Sequence, residues 1–362
     1  MSSHRLSPAR AWPIVVRRAR PSDKEAALQF ATNTWHGWDY IPRVWDRWLV
    51  APDSALLVAT AGHGPAGAEP VDSEGMPLTA DVPIAMTRVV MLTETEAWLE
   101  GVRVDPRVRG LGVATDLQVA EFRWAASRGA RTVRYVTGQD NEGSHRLGAK
   151  HGMRVVTAYR WYGWDDDTED AVPPKPNGAV SHDVDDLALS PGADVAGWWN
   201  RVEDDRTFRA ADGLFEIRSW AFASLTRERF QGLVERGMVL VWPDPSQPLS
   251  DHGAWALAIL RGEPEGEDDI DLPVPPALIL GDALPALELA RAIGGGRPGL
   301  PRLRLPDPDP PLLAGNGARA WAQAGWPGAE RTAHLLAREI DDAHPIPEPG
   351  DPALLEFVPE DP

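Results

Sequence analysis

A chain of 362 residues is long enough for two ordinary domains, each with a core of its own. It has no cysteine, which excludes disulfides, thiolate metal sites and a cysteine nucleophile, and no run is apolar enough to span a bilayer. The formal net charge of −18 falls almost wholly on residues 165–362, so neither nucleic acid nor an anionic membrane is an expected partner. Residues 1–164 are close to neutral and form the half suited to a polyphosphate ligand. No apolar leader opens the chain, so a cytoplasmic location is the default expectation.

In chain order, residues 14–18 read as a strand, and Ser22 with Glu25 as a capping box opening a helix to about residue 32. Residues 40–49 form a second helix and 55–60 a strand. A Gly- and Pro-rich loop covers 62–80, and two longer strands follow at 82–92 and 97–104. Val113, Leu117, Ala120 and Trp124 recur at helical spacing, and Gly129 stands where a C-terminal cap belongs, which predicts a helix over 113–128. A strand at 131–137, a helix at 142–150 and a strand at 153–164 complete a mixed α/β layer.

The acidic, Pro-rich run 165–180 reads as a linker. Beyond it, helices are expected at 226–236, 285–293 and 312–324, and extended segments at 238–242, 254–260, 277–280, 302–305 and 333–340. Gly152-Met153 and Gly325-Trp326 each stand between a helix and a strand, which suggests a diverged internal repeat. The expected organisation is a first domain at 1–164, a linker at 165–180, a second domain at 181–342 and a poorly ordered acidic tail at 343–362.

The strongest chemical signal is the segment from Val102 to Ala114, where a strand gives way to a turn containing arginine and glycine, then to a helix. Glycines let backbone amides approach a ligand, and the first amides of a helix, with its dipole, favour phosphate oxygens. Arg109-Gly110-Leu111-Gly112-Val113-Ala114 resembles the acetyl-CoA motif of the GNAT acetyltransferase superfamily, Gln/Arg-x-x-Gly-x-Gly/Ala. Arg107 to Gly112 fits the motif too. The later register is preferred because it sets Val104-Asp105-Pro106 at the family's Val-x-Pro spacing. Asn141, Ser144, Leu147, Gly152 and Met153 match the family's second motif. The resemblance spans about residues 14–164. It implies acetyl-CoA as cosubstrate, with the backbone of Val102, Arg103 and Val104 pairing with the pantetheine arm. The pyrophosphate would lie on Arg109, Gly110, Leu111, Gly112, Val113 and Ala114, with Asn141 and Ser144 across from it.

Acetyl transfer to an amine needs a base, because an ammonium has no lone pair to attack the thioester. Glu100 is the first candidate, since strand parity sets it on the side of Val102 and Val104; Glu96 is the second. The tyrosine that protonates the departing thiolate in this family is replaced by Gly148. Tyr159, Tyr162, His145 and His151 are candidate substitutes, and the acid is left unassigned. Trp35, His36, Trp38 and Asp39 lie in a loop between the first two helices and are candidate contacts for a cationic amine. Gly37-Trp38-Asp39-Tyr40-Ile41-Pro42, together with Trp98 to Val104, also resembles the histidine N-acetyltransferase type of GNAT protein, which implies a free amino acid as acceptor. The histidines form no HxH or HxxxH pair, so no metal site is expected.

The second half has no glycine turn between a strand and a helix; Gly294 to Gly299 follows a helix and reads as a cap and loop. The expectation is a degenerate GNAT-like domain without cofactor that shapes the acceptor pocket of the first. The primary function expected is acetylation of a small-molecule primary amine. The alternative is an idle acetyl-CoA-binding module with a basic protein partner. A homodimer is left open.

Overall fold

The computed structural model describes residues 12–163 (except 33, 35, 36, 65, 66 and 68), 184–242, 253–262, 276–294, 303–307, 315–346 and 355–357. In chain order the elements are β1 (Ile14–Arg18), α1 (Lys24–Leu28), α2 (Ile41–Val50), β2 (Ser54–Ala61), β3 (Pro83–Met91), β4 (Glu96–Val104), α3 (Val113–Ser127), β5 (Thr132–Gly138), α4 (Glu142–Lys150) and β6 (Arg154–Tyr162). There follow α5 (Val195–Asp204), α6 (Arg206–Ala210), β7 (Leu214–Arg218), β8 (Ala221–Ser224), α7 (Arg227–Glu235), β9 (Val239–Trp242), β10 (Ala256–Ile259), β11 (Leu278–Gly281), α8 (Ala283–Ile293), β12 (Leu303–Pro306), α9 (Gly315–Gln323), β13 (Gly328–Glu339) and β14 (Leu355–Phe357). The fold is mixed α/β, with a mixed central sheet flanked by helices.

Two compact units divide the chain: residues 1–135, 143–154 and 337–362 in the first, and 136–142 with 155–336 in the second. The division falls earlier than the expected boundary at 164, because β6 pairs antiparallel with β12 of the second unit, Leu303 opposite Tyr162. The expected linker at 165–180 lies outside the described residues. Residues 355–357 form β14, which pairs parallel to β1 with Ile14 opposite Leu355.

In the first unit β1, β2, β3 and β4 are antiparallel neighbours, and β4 runs parallel to β5. β2 is buried along its whole length between β1 and β3, as its continuous apolar run requires. Val44, Trp45 and Trp48 line the buried side of α2 at helical spacing and pack on Leu56, Val58 and Met86. α3 is as long as its periodicity predicts, and Asp116, Gln118 and Glu121 are buried along it. α1 is shorter than expected, and its entry is held differently. Asp23, not Ser22, receives the Arg20 amide at 2.6 Å and is gripped by the Arg17 guanidinium at 2.7 Å.

In the second unit β9, β10 and β11 form an antiparallel meander, followed by α8, β12, α9 and β13. This is the order of β2, β3, β4, α3, β5, α4 and β6. Trp321 and Trp326 close a core with Tyr162, Leu287, Leu289 and Leu303.

Candidate active site

The strand before the glycine turn is irregular in two ways. Arg88 of β3 stands opposite Glu100, but Met86 stands opposite Arg103, so β4 sets two residues against Thr87 alone. This bulge is built on Gly101, whose φ is +72° and where an added Cβ would lie 2.7 Å from the Trp48 ring. On its other side β4 pairs with β5 only from Glu96 to Trp98, although it continues to Val104. The edge of β4 beyond Trp98 therefore offers backbone groups to an extended ligand arm.

At the end of β4, Asp105 caps a short 3-10 turn, Pro106–Val108, by accepting the Arg107 amide at 2.9 Å. Its carboxylate also holds the Arg107 guanidinium, at 2.6 Å. Gly110 (φ +80°) and Gly112 (φ +83°) then carry the chain into α3, with Gly112 at the N-cap. Arg109 and Gly110 are exposed, and no heavy atom lies within 4 Å of the position a Gly110 Cβ would take. Lys150 of α4 reaches Thr115 in the first turn of α3 at 3.3 Å, which adds a cation near the helix start. Asp116 is the one acidic group of that first turn, and it is buried. A polyphosphate thus fits here: amides at a helix start, a bare glycine approach, an exposed arginine and a nearby lysine.

The bulge overturns the parity argument for Glu100. An extra residue at 101–102 reverses the alternation, so Glu100 shares its face with Arg103, not with Val104. There Glu100 is paired with Arg88 at 2.5 Å, and Arg88 lies over the Trp48 ring. Glu96 is likewise paired, with Arg134 at 2.6 Å. Asp39, expected to meet the acceptor, is buried and bonded to the Arg103 guanidinium at 2.7 and 3.0 Å. Burial pushes its carboxyl up, but hydrogen bonds from Arg103, Thr34 and the Ile41 amide hold it below the usual range. It thus ties the start of α2 to β4 and leaves no carboxylate for a ligand. Trp38 is exposed beside Arg43, and Trp35 and His36 lie outside the described residues. Tyr40 stacks under Arg103, and burial pushes its hydroxyl up to about 12.

Tyr135 donates to the Ser144 carbonyl at 2.9 Å and so fixes α4 to β5. Asn141 precedes α4, and its side chain donates to Thr137 at 2.9 Å. Of the substitutes for the missing tyrosine, Tyr159 and Tyr162 are buried in the second unit, against Phe222 and Trp321. His151 bonds Gln118 at 2.6 Å; burial, with the charges of Lys150 and Arg338, pushes it down to about 4. A ring held neutral at ordinary pH is no proton donor to a thiolate. Among the described residues no three His, Asp or Glu groups converge as metal ligands.

Sequence reasoning missed Glu121 and Thr87. Glu121 is fully buried on α3, 2.6 Å from the Thr87 hydroxyl and directly behind the bulge. A glutamate inside the apolar stripe of Leu117, Ala120 and Trp124 was the available signal.

Residues 38–153 match the family model described as the Acetyltransferase (GNAT) family. None of the curated proteins matches this sequence. Among solved structures, a GCN5-related N-acetyltransferase from Sphaerobacter thermophilus is similar at 18% identity, covering 90% of this chain and 95% of its own, with a TM-score of 0.49. A putative acetyltransferase from Thermoplasma acidophilum is similar at 14% identity over 90% and 99%, with a TM-score of 0.46. A Bacillus subtilis acetyltransferase in complex with CoA is similar at 11% identity over 40% and 79%, with a TM-score of 0.29.

Proposed function

We propose, from the match of residues 38–153 to the acetyltransferase (GNAT) family model, that the chain moves an acetyl group from acetyl-CoA to a primary amine of a small molecule. Acetyl-CoA is the cosubstrate consistent with such a domain, and it supplies an activated thioester carbonyl when bound. The observation that carries the proposal is the junction itself, where Gly110 and Gly112 expose the start of α3 at the end of a strand whose pairing to β5 has stopped. Backbone groups of Val102 and Val104 would hold the pantetheine arm. The amides of Gly112 to Ala114, with Arg109, would hold the pyrophosphate. Asn141, just before α4, and Ser144, in its first turn, are retained as contacts.

Glu100 is proposed as the base, with Arg88 fixing its rotamer. Trp38, at the surface, is the proposed acceptor contact; Asp39 supports it by anchoring the loop to β4 and is not itself a contact. The second unit is proposed as a diverged copy without a cofactor site. Its repeated element order supports a common origin, and its β11–α8 junction supports the loss of the site.

CoA release from acetyl-CoA, measured across free amino acids including histidine, polyamines, aminoglycosides and short peptides, tests the function. Turnover confined to one class names the acceptor. Binding of acetyl-CoA without turnover on any amine would favour a binding module and remove the proposal. Glu100→Gln should lower kcat about 100-fold with little change in the KM for acetyl-CoA, as expected for a lost general base. An unchanged kcat would return Glu100 to a structural pair with Arg88.

A further inference from the structure

A strand that gains a residue leaves backbone groups out of its ladder. Opposite the bulge of β4, the Thr87 hydroxyl oxygen lies 3.2 Å from the Glu100 carbonyl oxygen and 2.6 Å from Oε1 of Glu121. Thr87 and Glu121 are both 0% exposed, and Oε2 of Glu121 has no hydrogen-bond partner among the described residues. A hydroxyl has a single proton to donate. Were Glu121 ionised, Thr87 would have to serve the carboxylate and abandon the carbonyl, and a buried anion would stand with no cation to meet it. A proton on Glu121 closes both contacts, because Glu121 then donates to Thr87 and Thr87 donates to the Glu100 carbonyl.

We propose that Glu121 is a positioning residue, carrying a buried proton that fixes the bulge of β4 through Thr87 and so presents the backbone that receives the acetyl-CoA arm. The positioning half rests on the acetyl-CoA reading above. Burial pushes the Glu121 carboxyl up to about 8, outweighing the Thr87 contact that lowers it. The other titratable group coupled to it is Tyr135 on β5, whose hydroxyl is raised first by burial and further by the Glu121 charge. The remaining charged groups on the packed elements are taken elsewhere. Arg17 is held by Asp23 and Asp81, Arg18 reaches the Ser54 carbonyl, Arg88 is held by Glu100, Arg103 by Asp39, and Glu96 by Arg134. Asp116 lies in the first turn of α3, on the N-terminal side of Glu121.

The test combines folding stability by chemical denaturation from pH 5.5 to 9 with calorimetric titration of acetyl-CoA at pH 7 and 9, on the wild type, Glu121→Gln and Thr87→Val. The folded value of about 8 is above the ordinary 4.5. The wild type should therefore lose about tenfold in its folding constant per pH unit between those values and level off above them. Gln keeps a donor toward Thr87 but cannot ionise, so its folding constant relative to the wild type should climb by that factor per unit. Acetyl-CoA should bind the wild type about tenfold more weakly at pH 9 than at pH 7, and Glu121→Gln equally at both. Thr87→Val should weaken binding at both.

Parallel stability slopes for the wild type and Glu121→Gln would overturn the buried proton. Different slopes with equal acetyl-CoA affinity at pH 9 would overturn the positioning role. Different slopes with no acetyl-CoA binding by any variant at either pH would sink the acetyl-CoA reading and the positioning role with it, while the proton stands. Should Glu121→Gln fail to fold, difference infrared on the wild type decides: a protonated-carboxyl band at pH 7 should be gone by pH 9.5, and its absence at pH 7 refutes the proposal.

Discussion

The two units each run a strand into a helix after an antiparallel meander, and the two junctions differ in everything a phosphate would feel. In the first, residues 105 to 112 separate β4 from α3, two left-handed glycines expose the helix start, and Arg109 lies at the surface. In the second, Asp282 alone separates β11 from α8. Its amide donates to the Trp255 carbonyl at 2.8 Å, and its carboxylate accepts the Trp255 amide at 3.0 Å. The Trp255 backbone also covers Gly281 so closely that a Cβ there would lie 2.3 Å from the Trp255 oxygen. A carboxylate at the positive end of a helix also repels any phosphate that approaches it. The same topology therefore leaves an open, arginine-bearing junction in one place and a closed, acidic corner in the other, and the two differ in turn length and in the sign of one side chain.

Three substitutions break or sharpen that contrast. The largest effect is expected of Gly101→Val, which removes the bulge that the second unit's short β11 never needed. Positive φ at a β-branched residue together with overlap against Trp48 should cost roughly 3–5 kcal/mol in chemical denaturation, and acetyl-CoA binding should disappear with it. Wild-type stability would mean that Trp48 moves aside and that the bulge does not depend on glycine. Next, Arg109→Asp gives the first junction an acid like that of the second. Loss of a charge-assisted contact and its replacement by repulsion should weaken acetyl-CoA by about 2 kcal/mol, roughly thirtyfold. The loss should shrink in high salt. Equal affinity would place the pyrophosphate away from Arg109.

The smallest effect is expected of Asp282→Ala, which loses the hydrogen bond to the Trp255 amide and about 1 kcal/mol of stability. Acetyl-CoA should still bind at one molecule per chain. A second equivalent bound by this variant, seen by calorimetry, would show that the carboxylate alone had closed the second site and that the turn length had not.

Much of the first unit was legible because its signals are periodic or local. The apolar runs of β2 and β3 and the spacing of Val113, Leu117, Ala120 and Trp124 define their elements within a residue or two. α5 was not anticipated, although Asp194 caps it and Trp198, Trp199 and Val202 make its buried face. The short hairpin of β7 and β8 went unread as well, for at five and four residues it carries too little pattern to stand out. At the site, Arg109 to Ala114 could be found because a glycine turn is a local feature. The partners of Asp39 and Glu100 could not, since Arg103 is 64 residues from Asp39 and Arg88 is 12 from Glu100.

By itself the sequence determined the strand–turn–helix on which a phosphate can rest, because backbone conformation there depends on the residues in the turn and on nothing distant. It also determined the family resemblance carried by that turn. Only the tertiary structure decided which carboxylates are available. One inserted residue at Gly101 reversed the facing of Glu100, folding consumed Asp39 on Arg103, and enclosure behind the bulge made Glu121 an acid suited to hold a proton. The charge state and direction of a side chain are set by neighbours that the chain brings together only when it folds, and no local pattern records them.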